Sequence, residues 1–127
     1  MNTKVFLATL LGFISTFAVA TESKTINCEG MYYDYGFQEE VKAGALIESE
    51  EAEIWFESGS ISSPRFKKTP VLANSKYTEM ASTQSQLTLR LDTQGLNATS
   101  GKRIRGTVSY TGYFSGETIG LSCDVKN

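Results

Sequence analysis

The alternation of residues between Lys102 and Lys126 constrains the fold of this chain more than any other feature. Ile104, Gly106, Val108, Tyr110 and Gly112 fall on one face, and Arg103, Arg105, Thr107, Ser109 and Thr111 on the other. Past Tyr113-Phe114-Ser115-Gly116 the pattern resumes, with Ile119, Leu121, Cys123 and Val125 set against Thr118, Gly120, Ser122 and Asp124. A period of two on both sides of a Gly-containing connection predicts an antiparallel hairpin with one buried face. Cys123 lies on the apolar face, and the only other cysteine is Cys28.

The N-terminus predicts export. Lys4, the apolar run Val5–Phe17 and the small-x-small triplet Ala18-Val19-Ala20 have the layout of a secretory signal peptide cleaved after Ala20. The run is shorter than the roughly 20 residues a spanning helix needs, so no transmembrane segment is expected in the mature chain. Residues 1–20 are thus read as signal peptide and 21–127 as a single β domain in the periplasm or outside the cell. In an oxidising compartment two cysteines most simply form one disulfide. Joining Cys28 to Cys123 would tie the first strand to the last; two separate buried thiols are the alternative.

Between the cysteines the chain reads as short strands and turns. Lys24 to Phe37 starts with Ile26, Cys28, Gly30 and Tyr32 on one face, while Met31, Tyr33, Tyr35 and Phe37 make the opposite face apolar too. Burial on both faces is the expectation there, and a ligand lining is the alternative. Gln38–Glu57 has helix-favouring composition, but its alternation predicts two strands around a turn at Glu48-Ser49-Glu50-Glu51. Arg65–Leu72 reads as an irregular edge strand because Pro70 lacks a donor. Asn74–Ser82 allows a short helix, and Gln86–Asp92 is plain strand. About eight strands with no repeat predict an all-β fold, a small antiparallel β-sandwich or β-barrel. Polar residues at the outer positions argue against a membrane-spanning barrel.

Composition excludes most chemistries. The chain has no histidine and a net charge of −2. Histidine-based nucleophilic triads and His-containing metal sites are therefore out, and no metal or cofactor is expected. A basic footprint for nucleic acid is missing. Glu53 and Glu57 share one face of a predicted strand, but surface glutamates explain them more simply than a glycosidase pair. No enzyme activity is expected.

Three surfaces are candidates for binding a partner. Trp55 stands outward within an acidic band of Glu39, Glu40, Glu48, Glu50, Glu51, Glu53 and Glu57; aromatic anchors concentrate interface energy, although a tryptophan capping the core is the plainer reading. Arg103 and Arg105, with Arg90 and Lys102 nearby in the pattern, suit carboxylate or phosphate recognition, against simple cross-strand pairing. Tyr113 and Phe114 place two aromatic rings at a hairpin tip, either to enter a partner or to fold over the end of the core. Asn97-Ala98-Thr99 is a glycosylation acceptor pattern that carries no meaning in a bacterial setting.

The early Cys28, late Cys123 and intervening strands are similar in outline to small periplasmic lysozyme inhibitors of the C-type inhibitor family. Ser100-Gly101 with a following basic residue resembles the Ser-Gly segment those proteins direct at lysozyme. The aromatic residue due after it is replaced by Lys102-Arg103-Ile104, so the likeness stops at the cysteine frame and one dipeptide. The expected function is an exported, non-enzymatic β-domain binding an unidentified protein or cell-envelope component. A hydrolase inhibitor acting through Asn97–Arg103 and a barrel lined by Tyr32–Phe37 for a small ligand are the alternatives.

Overall fold

The computed structural model describes residues 23–59, 61–83, 86–93 and 103–126. The expectations for residues 1–20 and for Asn97, Ser100, Gly101 and Lys102 fall outside them. Among the described residues nine strands follow in chain order: β1 (Ser23–Asp34), β2 (Phe37–Glu48), β3 (Glu51–Ser58), β4 (Ile61–Ser62), β5 (Phe66–Ala73), β6 (Thr78–Ala81), β7 (Leu87–Leu91), β8 (Arg103–Tyr110) and β9 (Ile119–Lys126). A 3-10 turn at Phe114–Gly116 separates the last two.

Eight of these strands close into an antiparallel up-and-down barrel, with the two-residue β4 added along β3. Each barrel strand pairs with its chain neighbours, and β9 returns to β1 to complete the ring. Closure removes the edges an open sandwich would leave, so the fold is the barrel of the two alternatives. Arg65–Leu72 is corrected in the same way: β5 is an interior strand, flanked by β3 and β6. Pro70 is tolerated because pairing with β6 begins only at Val71, and a register shift between Ala52 and Ile54 loosens the ladder to β3. The helical alternative for Asn74–Ser82 also fails. The Asn74 side chain accepts from the backbone N–H of Lys76 at 2.8 Å and of Tyr77 at 3.0 Å, making a turn that launches β6.

The seam between β9 and β1 sets Cys123 directly opposite Cys28, and the two form a disulfide with Cα atoms 4.0 Å apart. The cross-link spans 95 residues of sequence and lies on the buried face. The strand pair with the largest loop to close is thus the one made covalent.

The barrel is filled by side chains. Ile26, Val41, Ile54, Met80, Leu87, Leu89, Leu91, Val108 and Val125 are fully or almost fully buried. Each large side chain so removed from water contributes roughly 1.5–3 kcal/mol. Beside the disulfide the inner positions on the flanking strands include small residues, Ala43, Ala45 and Gly106. A Cβ on Gly106 would lie 2.8 Å from the Arg90 carbonyl oxygen and 3.2 Å from Cys123 Sγ. At one mouth Phe114 plugs the core, its ring centroid 4.7 Å from that of Tyr32 and 5.4 Å from that of Phe56.

Candidate functional site

At that mouth the β1–β2 hairpin outruns the barrel. The two strands pair with each other all the way to Asp34↔Phe37. Pairing of β1 with β9 stops at Gly30, and pairing of β2 with β3 stops at Val41. Residues 31–40 therefore form a two-stranded arm held to the sheet only at its root. Beyond the Tyr32↔Glu39 pair at its root, two residues per strand at about 3.3 Å each carry the arm about 7 Å farther, to its turn.

The arm turns through Tyr35 at φ 45° and Gly36 at φ 84°, as a two-residue type I′ connection requires. Such a turn favours Asn or Gly at its first position. A bulky residue in the left-handed region is strained, and Tyr35 is fully exposed at 103 %, so no packing against the described residues offsets the cost. Tyr33 is 64 % exposed and Phe37 56 %. Among the described residues no ring and no cation lies against any of these three.

The root, in contrast, is anchored. Tyr32 turns inward against Phe114, and the Ser58 hydroxyl donates to Glu39 Oε2. Asp34, Glu39 and Glu40 make the arm acidic, with no lysine or arginine between positions 31 and 40. The expectation of burial on both faces of this segment is thus corrected. Tyr32 is buried, whereas Met31, Tyr33, Tyr35 and Phe37 are exposed, because among the described residues no neighbouring strand or second layer reaches the arm to cover them. Those aromatic residues do not line the barrel interior either.

The surfaces singled out from sequence are more self-satisfied. Trp55 does face outward, but its ring has no free face. One side lies on Gly44, where a Cβ would run into the indole, and the Arg65 guanidinium covers the other at 3.9 Å. Glu53 holds that arginine at 3.0 Å and is thereby a partner in an ion pair. Arg103 donates through Nε to Ser122 Oγ at 3.0 Å and pairs with Glu29 across β9 at 3.2 Å. Arg105 is exposed on the same outer face and has no side-chain partner among the described residues. Arg90 stacks on Tyr77 at 3.8 Å. Of the two tip aromatics, Phe114 is buried in the core mouth while Tyr113 stacks on Tyr110 at 4.7 Å and stays partly exposed.

A shallow groove of about 470 Å³ runs across the outside of the sheet from Trp55 to Arg103. Its floor carries Asn27 and Asp124, and its walls bring Glu57 and Lys42 beside Glu29 and Lys126. These rows follow from register: Trp55, Gly44, Asn27, Asp124 and Arg103 are successive cross-strand neighbours. Acidic and basic side chains are interspersed in it, and Glu29 and Arg103 form an ion pair. No group of three or more potential metal ligands occurs among the described residues.

The structure thus brings Trp55 and Arg103 to one groove and leaves Tyr113 and Phe114 at the barrel mouth beside the arm. The arm itself was missed as a surface. Its one legible signal is Tyr35-Gly36 between Tyr32-Tyr33 and Phe37, where a turn residue such as Asn is expected at the first position. No family model, curated protein or solved structure matches this chain.

Proposed function

We propose that the chain is an exported, non-enzymatic binding domain that engages a protein or other envelope component through the β1–β2 arm. One observation carries this reading: Tyr33, Tyr35 and Phe37 stand bare on a projecting, well-rooted hairpin while the other aromatic side chains of this mouth are packed. Exposed aromatic rings of this kind are the residues that dominate binding energy at interfaces. The buried disulfide fits an oxidising compartment, and among the described residues no helix is long and apolar enough to cross a membrane.

The test is photo-crosslinking in the native envelope, with a probe residue at Gln38, comparing the wild type with the Tyr33→Ser/Tyr35→Ser/Phe37→Ser variant. Discrete adducts that vanish in the variant, at unchanged thermal stability, are the expected result. Identical adducts from both proteins would remove the arm from the binding surface. An inhibitor of a hydrolase is the second reading, favoured by the shape of the arm, since a narrow projecting hairpin is suited to enter a cleft. Unchanged lysozyme activity at high molar excess of the protein eliminates lysozyme as that target.

A further inference from the structure

We infer that the arm receives an arginine- and lysine-rich protein segment, its aromatic faces taking the cationic side chains and its carboxylates pairing with them. This rests on the reading of the arm as the binding surface and adds the chemistry of the partner. The molecule already contains the interaction in finished form. At Trp55 the Arg65 guanidinium lies 3.9 Å over the ring while Glu53 grips it at 3.0 Å. The arm holds the two receiving parts of that arrangement without the arginine.

Register puts those parts together on both faces. Asp34 is directly opposite Phe37, at a separation of about 5 Å between Cβ atoms for such a pair. On the other face Glu40 lies opposite Met31, one diagonal step from Tyr33. A guanidinium over either ring is thus within reach of a carboxylate. Cation–π attraction and a charge-assisted hydrogen bond then act on the same group.

Charge decides between occupants. A second copy would set the three acids of its arm, Asp34, Glu39 and Glu40, against the same three, and an anionic bilayer would be repelled likewise. A purely apolar segment would cover Asp34 and Glu40 and leave them without partners, which is costly for charged groups. A cationic segment has neither penalty.

The experiment uses the exported, disulfide-bonded chain and amide chemical-shift mapping with three synthetic dodecapeptides. These alternate serine with arginine, lysine or citrulline, the last being a neutral arginine isostere. The arginine peptide is expected to shift residues 31–40, the lysine peptide to do so more weakly, and the citrulline peptide not at all. Tyr33→Ser/Phe37→Ser is expected to weaken arginine-peptide binding about tenfold. Asp34→Asn/Glu40→Gln should weaken it and flatten its salt dependence.

Equal binding of the citrulline peptide, shifts centred on Trp55, no shift at ~1 mM peptide, or preferential binding to phosphatidylglycerol vesicles would each overturn the inference. If the envelope adducts depend on the arm yet persist in Asp34→Asn/Glu40→Gln and at high salt, the arm remains the binding surface and only the cationic partner is lost.

Discussion

Two hairpins bring aromatic residues to the same mouth of the barrel, and they use them in opposite ways. Both turns hold an aromatic residue in the left-handed region, Tyr35 at φ 45° in β1–β2 and Phe114 at φ 56° in β8–β9. At Phe114 the strain is offset within the chain, because the ring fills the space between Tyr32 and Phe56. At Tyr35, which is fully exposed, no described residue offsets it. The difference lies in length. β8 and β9 part after Val108↔Ile119 and the connection folds across the opening, whereas β1 and β2 stay paired beyond their neighbours. An aromatic tip is a plug where the strands end at the rim and a free surface where they pass it. Strained backbone without local compensation is a feature that clusters at functional sites, which makes Tyr35 the more informative residue.

The comparison is broken most forcefully at the seam where the hairpins meet. Cys28 belongs to one and Cys123 to the other. Replacing both with serine should lower unfolding free energy by about 4 kcal/mol, as expected for a loop of this size. Urea unfolding of oxidised wild type against the double variant measures it, and equal midpoints would show that closure does not need the bond. Next in size is Phe114→Ala. If this ring is a plug, its loss should cost about 3 kcal/mol by cavity formation. A cost near zero would place Phe114 with Tyr35 as a surface residue and dissolve the contrast.

Much of the fold was legible because the physics is local. Alternation through Ile104–Tyr110 and Ile119–Val125 reports one buried face, and the cysteines sit in phase with it, so both the last hairpin and the disulfide could be read. The turn between β2 and β3 fell at Ser49-Glu50 inside the expected Glu48–Glu51, where alternation outweighed helix propensity. Barrel closure was not legible, since it depends on which strand meets which at long range. The arm was misread for the same reason. Periodicity says that Met31, Tyr33 and Phe37 are apolar, but only the lengths of β9 and β3 determine whether anything covers them. Trp55 shows the converse: its outward direction was readable, while the arginine occupying its face comes from β5's approach ten residues away.

Smaller effects sharpen the contrast. Tyr35→Asn gives the type I′ turn a residue that tolerates the left-handed region and should raise stability by about 1 kcal/mol. The gain would appear as a higher melting temperature, and a loss instead would mean that the Tyr35 ring is packed after all.

The smallest stability effect is also the most telling. Tyr33→Ser with Phe37→Ser removes two large exposed side chains, and surface changes of this kind stay within about 0.5 kcal/mol. Partner adducts should nevertheless disappear. Phe114→Ala is expected to behave in reverse, losing stability while the folded fraction keeps its adducts. If instead the two variants lose stability and adducts in the same proportion, the hairpins share one role, and the exposed arm is simply the weaker part of the mouth.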